Sequence, residues 1–347
     1  MPAHEPERPA PLPCTATPIR DLGLSIAGSA LEPILAEFEA ERQRAGLRRI
    51  RPRFYLSTEW GVPEGTVAIA IPFYLARADL TALHAERVGH VEGTSWGDIL
   101  RYLRHEMGHV VNYAYRLFDT PEWVARFGAI GQAYRDEYRV EPFSRRHVRH
   151  LPGWYAQKHP DEDWSETFAV WLTPGLDWRA DYAGWPEALA KLDYCDRTMA
   201  ALADRDPVVT ADELDLDVGE VTDSVEQFYD AHDVGAWGEF DFPSGLDAAF
   251  RSIFEDLGSP ESAPADRPRR LASALVRRLE RDLMTTVYRW TGHFPERTRP
   301  LVRHLADRAE ALTLDYPERR ETEAVVALTT LITTLAMNFV QRGTYIL

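Results

Sequence analysis

Cysteine is scarce in this chain, with only Cys14 and Cys195 among 347 residues. One lies in a proline-rich N-terminal stretch and the other in the body of the sequence, which excludes both a disulfide framework and a thiolate metal cluster. A reducing, cytoplasmic location is the simplest expectation. The first residues also lack the basic and apolar segments of a secretory signal, which agrees with it.

Positive charge and long apolar runs are scarce as well. Lysine and arginine total 39 against 55 aspartate and glutamate residues, for a net charge of -16. This balance disfavours general attraction to nucleic acid or anionic lipid, so we expect neither partner. The most apolar stretch, Ala324 to Val340, contains four threonines. It therefore predicts a buried helix and no membrane span.

Composition suggests a tail and two domains. Residues 1–18 carry six prolines and predict a flexible tail. A strongly acidic stretch after residue 203 predicts a boundary there, which gives domains 19–203 and 204–347. The second domain is expected to be mainly helical, and its breaker residues separate three predicted helices, at 268–290, 297–313 and 318–341.

The first domain predicts a mixture of strands and helices. Arg53 to Glu59 and Thr66 to Tyr74 are typical of strands, and the glycine-rich turn between them indicates a hairpin. Pro72 lacks a backbone donor and favours the second strand at a sheet edge. The predicted fold class is therefore α+β, with a small mixed sheet followed by the helical C-terminal region.

Two helices of this domain contain the residues of chemical interest. Ser95 with Asp98 three residues later predicts the start of a long helix that runs to about Phe118. Pro160, followed by three acidic residues, predicts a second helix over about 161–173.

The first of these helices contains His105-Glu106-Met107-Gly108-His109, an H-E-x-x-H motif. Two histidines four residues apart project from one face of a helix, so their ring nitrogens can share one metal ion. Glu106 is then positioned to hold a water molecule bound to that ion. The spacing predicts a zinc site with His105 and His109 as ligands and Glu106 as general base.

A catalytic zinc site needs a third protein ligand and one open position. A metzincin would have glycine and histidine at positions 112 and 115, but Asn112 and Tyr115 occupy them, so that class is excluded. Asp119 is one alternative donor, although it lies in a turn between two helices. Glu166 is the stronger candidate because its neighbours Thr167 to Ala169 carry no charge, and a buried carboxylate is costly without a compensating partner.

The carboxylates of the second helix also have ordinary interpretations. Glu166 is the type of residue that forms a surface ion pair, and Glu162 and Asp163 occupy a first turn, where the helix dipole favours acidic side chains.

Arg104 to His109 together with His159 to Ala169 resemble the gluzincin branch of zinc metallopeptidases. More narrowly, they are similar to bacterial zinc-binding metallopeptidases of zincin type, over roughly residues 50 to 200. The resemblance implies a zincin fold with His105, His109 and Glu166 as zinc ligands and Glu106 as catalytic base. It says little about the C-terminal region.

One departure from the thermolysin-like pattern is visible. The position four residues after Glu166 holds Val170 where that pattern has an aspartate. The carboxylate that orients a ligand histidine must therefore come from elsewhere, and we expect Asp163 to supply it.

The predicted function is zinc-dependent hydrolysis of peptide bonds in a peptide or protein substrate. The oxyanion of such a reaction needs a second electrophile, and Tyr155 and His159 are the candidates. Their alternative roles are packing for Tyr155 and an ordinary loop position for His159. His147 and His150 are expected on a solvated basic face.

Substrate binding is expected at the edge of the sheet, where Thr66 to Tyr74 can accept an extended peptide; the alternative is an ordinary core strand. The C-terminal helices could select substrates, cover the cleft or mediate association with a partner or a second copy. A catalytically silent peptide- or protein-binding module is the alternative function. The presence of Glu106 argues against it, because a structural metal site needs no general base.

Overall fold

Residues 15–134, 138–232, 243, 245–257 and 268–347 are described by the computed structural model. Their helices are α1 Leu31–Arg44, α2 Ala78–Val88, α3 Trp96–Tyr115, α4 Pro121–Phe127, α5 Pro160–Leu172, α6 Trp178–Asp181, α7 Pro186–Leu202, α8 Val225–His232, α9 Leu246–Ile253, α10 Ala272–Thr291, α11 Pro295–Ala311 and α12 Glu321–Arg342. The strands are β1 Arg53–Ser57, β2 Ala68–Pro72, β3 Glu255–Asp256, β4 Arg269–Leu271 and β5 Leu314–Pro317. The prediction of a mixed helix and sheet fold with C-terminal helices is confirmed. Cys14 and most of the predicted tail lie outside the described residues.

The N-terminal sheet differs from the predicted hairpin. Strands β1 and β2 pair in parallel, with Tyr55 opposite Ala70. The segment that connects the two strands passes along the other side of β2. There Gly61 forms an antiparallel bridge with Ala70, whose N–H donates to the Gly61 carbonyl at 2.8 Å. Strand β2 therefore has a neighbour on each side, and all five of its residues are buried. The hairpin and the edge position of this strand were wrong, because Pro72 comes at the end of the strand, where a missing donor costs no ladder bond.

Helix α3 confirms the prediction made from its cap. The Asp98 N–H donates to the Ser95 hydroxyl at 3.2 Å, and the helix runs from Trp96 to Tyr115. Arg116 then adopts a left-handed conformation with φ 51°, which ends the helix three residues before the predicted end.

Helix α5 crosses α3 at very short distance. It begins at Pro160, and twelve of its thirteen residues are buried. A Cβ on Gly108 of α3 would lie 2.6 Å from the Ser165 Cα of α5, so only glycine permits this approach. The Trp164 indole N–H donates to the Gly108 carbonyl at 2.8 Å. The crossing therefore brings the α5 side chains beside Ser165 within reach of the α3 histidines.

The C-terminal region has its own hydrophobic core, in which α9 to α12 pack together. Helices α10, α11 and α12 agree with the three predicted helices to within a few residues. A small antiparallel sheet with strand order β3-β5-β4 accompanies them and was not predicted, since its strands are two to four residues long. The first core includes side chains as far as Tyr229, and the domain boundary near residue 203 stays a prediction.

One stretch among the described helices, Glu318–Arg342, is long and apolar enough to cross a membrane by length and composition. A third of its apolar window is buried inside the protein, and core helices of other proteins meet the same criteria. The hydroxyls of Thr329, Thr330, Thr333 and Thr334 donate to carbonyls one turn earlier, so these threonines satisfy their polar groups within the helix.

The C-terminal region also contacts the segment that precedes α5. The Tyr288 hydroxyl donates to the Pro152 carbonyl at 3.5 Å. Gly292 lies against Trp154, where an added Cβ would approach the indole ring to 3.0 Å. Residues 152–154 are therefore held between α5 and the C-terminal region.

Candidate metal centre

Three donor atoms from α3 and α5 converge at the crossing of these helices. Nε2 of His105 lies 3.2 Å from Nε2 of His109. Oε2 of Glu162 lies 3.0 Å from the first nitrogen and 3.3 Å from the second. All three residues are buried and form a cluster that could hold a metal ion.

Each histidine also forms a hydrogen bond with a second carboxylate through Nδ1, its other ring nitrogen. Nδ1 of His105 lies 2.9 Å from Oε1 of Glu166, and Nδ1 of His109 lies 2.9 Å from Oδ2 of Asp161. A carboxylate only accepts, so each Nδ1 carries a proton and donates it. In the neutral tautomers both Nε2 atoms then present lone pairs to the common point.

The charges around the histidines favour a cation between them. Burial opposes protonation of His105, but hydrogen bonds and charges of Glu162 and Glu166 outweigh it and raise its pKa to about 9. Asp161 and Glu162 likewise raise the pKa of His109 above its usual range despite burial. Protons on both Nε2 atoms would face each other across a 3.2 Å gap. One cation shared by these three acceptor atoms therefore suits the space between them better than two protons do.

The donor geometry fits zinc. Zn–N and Zn–O bonds of about 2.0–2.1 Å in a tetrahedral site place neighbouring ligand atoms about 3.3 Å apart. The three measured separations, 3.0, 3.2 and 3.3 Å, are close to that edge. Two histidines and one glutamate also form a known catalytic zinc donor set, in which the fourth position remains open.

Glu106 lies between the two histidines in sequence and lines the same cavity. Burial raises the pKa of its carboxyl group; the two histidines lower it, and Glu162 and Asp161 raise it further. A raised pKa makes this carboxylate a better proton acceptor than an ordinary glutamate, as a general base requires.

The prediction of Glu166 as third ligand needs correction. Its Oε1 accepts from Nδ1 of His105, on the side away from the convergence point, and its Oε2 accepts from the backbone N–H groups of His150 and Leu151 at 3.1 and 2.9 Å. Glu162, one helical turn earlier, instead directs its Oε2 to Nε2 of both histidines. Counted from Glu162, the residue four positions later is Glu166, a carboxylate where the thermolysin-like pattern has an aspartate, and it contacts Nδ1 of His105.

The prediction that Asp163 orients a ligand histidine is also wrong. Asp163 points to another side of α5, where its Oδ2 accepts from Nζ of Lys191 at 2.5 Å. The pKa of Asp163 is raised to about 7 because burial outweighs the lysine. Asp161 fills the predicted role, and it accepts further hydrogen bonds from Asn112 at 2.6 Å and Tyr113 at 2.7 Å.

His159 and Tyr155, the two predicted oxyanion donors, differ in what their polar atoms contact. His159 caps α5: its Nδ1 accepts from the Asp161 N–H at 3.2 Å, and its Nε2 donates to the Gln132 carbonyl at 3.1 Å. Both nitrogens are used, so the prediction for His159 is replaced by a capping role. The ring of Tyr155 lies edge-on to that of His105, with centroids 5.5 Å apart.

Tyr155 meets a second tyrosine at the metal centre. The hydroxyls of Tyr134 and Tyr155 lie 3.2 Å apart, and the Tyr134 hydroxyl donates to Oε1 of Glu162 at 2.7 Å. Nζ of Lys158 lies 4.3 Å from the ring centroid of Tyr134 and 5.1 Å from that of Tyr155. The predicted role of Tyr155 stays a prediction, and its position beside the centre agrees with it.

The two histidines expected on a solvated face are partly or largely covered. Nε2 of His150 donates to the Arg101 carbonyl at 3.0 Å, and burial lowers its pKa to about 4. Nε2 of His147 lies 3.8 Å from Asp163, and burial lowers its pKa to about 3.

An open cavity of about 460 Å³ lies over the candidate centre. The ligand histidines, Glu106 and Glu162 form its floor. Its walls come from three segments: residues 60–65 beside β2, residues 113–134 after the histidines, and the residues around Tyr155. A substrate can therefore reach the convergence point from solvent.

Sequence reasoning missed five residues of the centre: Asp161 and Glu162, and the hydrogen-bond donors Asn112, Tyr113 and Tyr134. The glycine inside the H-E-x-x-H motif was the available signal. A glycine in a helix interior costs stability unless another backbone approaches it closely. Gly108 thus marked the crossing point, although its partner on α5 could not be identified from the sequence.

Comparison of the chain with protein-family models, with curated proteins and with solved structures found no match. The site itself is therefore the basis for assigning a function.

Proposed function

We propose that this protein is a zinc-dependent metallopeptidase of zincin type, with His105, His109 and Glu162 as ligands. One observation carries the proposal. Three buried acceptor atoms lie as far apart as neighbouring ligands of a tetrahedral zinc ion, and a further carboxylate accepts a hydrogen bond from Nδ1 of each histidine. Such an arrangement is electrostatically unfavourable without a cation. A zinc ion bound there would act as a Lewis acid and would lower the pKa of a coordinated water to about 7.

The side chain of Glu106 supplies the base in this proposal. Its buried carboxylate accepts the proton of the attacking water and delivers it to the leaving amine, which balances the hydrolysis of one amide bond by one water. Glu166 and Asp161 keep the two imidazoles in the tautomer and orientation that ligation requires.

Tyr155 is the proposed electrophile for the substrate oxyanion. Burial and the negative charge of Glu162 raise the pKa of Tyr155 well above its usual value, so its hydroxyl keeps its proton and can donate. The Tyr134 hydroxyl is already engaged by Glu162, which leaves Tyr155 as the better donor of the pair.

Zinc content and hydrolysis, measured on the same preparations, test the proposal. The purified protein should contain about one zinc per chain, as a three-ligand site requires, and should cleave an unfolded protein substrate at sites identified by mass spectrometry. The Glu106→Gln variant should retain the zinc and lose turnover by at least about 100-fold, because the base is removed and the ligands remain.

A control variant and two contrary outcomes complete this test. Glu86→Gln, an exposed change on α2 outside the cavity, should behave like the wild type. Equal turnover in Glu106→Gln and wild type would rule out the proposed base. A protein that binds zinc and unfolded peptides but cleaves none of them would favour the silent binding module.

A further inference from the structure

Val62, Glu64, Tyr113 and Phe118 are among the residues that line the cavity over the candidate metal centre. Tyr113 lies on the His109 side of this cavity, because its hydroxyl donates to Asp161 and its ring centroid lies 6.1 Å from that of His109. Phe118 packs edge-on to Tyr113 with centroids 6.3 Å apart. Tyr134 and Tyr155 line the cavity beside His105, and Lys158 lies against their rings without belonging to the described lining.

Glu64 is the only charged side chain that the 60–65 segment contributes to the described lining of this cavity. It lies in the turn before β2, where the Thr66 N–H donates to the Pro63 carbonyl. Its side chain is exposed and makes no hydrogen bond or ion pair with the part of the chain that the structure describes. Its charge nevertheless reaches the cavity, since Glu64 is among the groups that, after burial and Asp161, raise the pKa of Tyr113.

Other lining residues of this cavity are apolar. Val62, Phe118 and Ile130 line the cavity and are packed against the main hydrophobic core. A half-buried apolar wall that ends in an exposed carboxylate complements a side chain with an aliphatic stem and a cationic tip. Lysine and arginine have this shape, whereas a leucine would leave the carboxylate without a partner.

The charge balance of the cavity also favours a cationic side chain of the substrate. Its described lining contains four carboxylates, Glu64, Glu106, Asp161 and Glu162, and neither lysine nor arginine. A divalent cation offsets two of these charges, so two negative charges remain when all four groups are ionised. A cavity of this sign attracts cationic substrates and disfavours anionic ones.

We propose that the part of the cavity at Glu64 is a subsite for a lysine or arginine side chain of the substrate, held through its stem by Val62 and Phe118 and through its cation by Glu64. The inference rests on the proposed function, which it extends to a substrate class. Glu64 acts here as a specificity-determining residue and takes no part in the chemical step.

Peptide binding to the zinc-loaded Glu106→Gln variant tests the subsite without relying on turnover. The probes are identical decapeptides in which one lysine is moved through every position, with a second set that has the neutral norleucine at the same positions. The best lysine peptide should bind roughly tenfold more tightly than its norleucine counterpart at low salt, and the ratio should fall as salt is added. Adding Glu64→Gln should reduce this ratio to about one, whereas adding Glu86→Gln should leave it unchanged.

Two results would overturn the subsite: a ratio of one in the Glu106→Gln background, or a lysine preference that persists after Glu64→Gln. Circular dichroism and bound zinc, equal in all variants, confirm that the exposed substitution leaves the fold intact. The wild-type protein is then given the same peptides. Failure to cleave any of them, with the lysine preference in binding retained, counts against the peptidase proposal and supports the subsite. Cleavage with no preference for lysine counts against the subsite alone.

Discussion

At the scale of single residues, the candidate centre separates direct ligands from the groups that orient them. Glu162 directs one oxygen to both histidines and receives the Tyr134 hydroxyl on the other. Glu166 contacts only the far side of His105 and is itself fixed by two backbone N–H groups. The two glutamates are chemically identical, so their roles follow from position alone.

This division predicts unequal effects on zinc affinity. Glu162→Gln should weaken zinc binding by more than about 100-fold, because a charged ligand is lost, whereas Glu166→Gln should weaken it by about 10- to 100-fold, as for other groups that orient a ligand histidine. Competition with a zinc-binding dye measures both affinities, with Glu86→Gln as control. A larger loss in Glu166→Gln would restore Glu166 to the ligand set.

At the scale of elements, the crossing of α3 and α5 decides which carboxylates meet the histidines. Gly108 and Ser165 form the contact, and Glu162 and Glu166 lie on either side of it along α5. The sequence predicted both helices, the H-E-x-x-H residues and an acidic donor from α5. It could not identify the donor, because two carboxylates one turn apart share a helix face and only the crossing point distinguishes them.

The sheet shows a similar limit. The sequence predicted β1 and β2 correctly as strands, but strand direction and neighbours depend on the path of the connecting loop. Here Gly61 pairs with the side of β2 that faces away from β1, so β2 is not at the edge position predicted for it.

The helix crossing leads to a prediction about Gly108→Ala. The added Cβ would lie 2.6 Å from a backbone atom of Ser165, so the helices must separate, at a cost of about 1–3 kcal/mol in the free energy of unfolding. Zinc affinity should fall as well, since Glu162 moves with α5. Gly97→Ala in the first turn of α3 is the matched control, because nothing lies within 4 Å of its added Cβ, and it should be neutral or stabilising. Urea denaturation and zinc titration of both variants provide the measurements, and similar stabilities would contradict the close crossing.

A second prediction at this scale concerns acid stability at the start of α11. His293 is 1% exposed, and its ring nitrogens lie 2.8 Å from the Thr298 hydroxyl and 2.9 Å from the Tyr345 hydroxyl. Burial and the nearby Arg297 lower its pKa from 6.5 to about 3. Above pH 6.5 the ring is neutral in both folded and unfolded chains and adds no pH dependence. Between pH 6.5 and 3 only the unfolded chain takes up the proton, so the protein should lose stability on the order of 4 kcal/mol across this range.

The contribution of His293 can be isolated by substitution. The free energy of unfolding of His293→Gln should be lower than that of the wild type at pH 7.5, but it should fall less steeply towards pH 4. Parallel pH profiles for the two proteins would show that His293 does not titrate as described.

At the scale of the whole molecule, the proposed site should couple metal binding to folding, because its three ligand residues belong to two helices of the first core. An ion held only by the folded chain stabilises it by about 4 kcal/mol when its concentration is a thousand times its Kd. Removing zinc with a chelator should therefore lower the Tm by several degrees. Calorimetry with and without chelator measures the shift, and the Glu162→Gln protein should show a much smaller one because it binds zinc more weakly. An unchanged wild-type Tm would show that the folded chain holds no ion of this kind.

The two parts of the chain are not independent around this site. Tyr288 and Gly292 of the C-terminal region contact residues 152–154, next to the backbone groups that hold Glu166. A change in the packing of α10 can therefore alter the orientation of the His105 imidazole. The path consists of the hydrogen bond from the Leu151 N–H to Glu166 and the hydrogen bond from His105 to Glu166. This gives the C-terminal helices a structural role whatever else they bind.

The centre takes three of its carboxylates, Asp161, Glu162 and Glu166, from six consecutive residues of α5, which also limits how the chain can change in length. Each residue added to a helix rotates everything beyond it by about 100°. One inserted or deleted residue between Glu162 and Glu166 would thus turn the second glutamate away from His105, while the same change in the loop between α4 and α5 would be absorbed. In any chain that shares the proposed centre, uninterrupted spacing through this one turn should therefore be a better guide to its function than overall similarity.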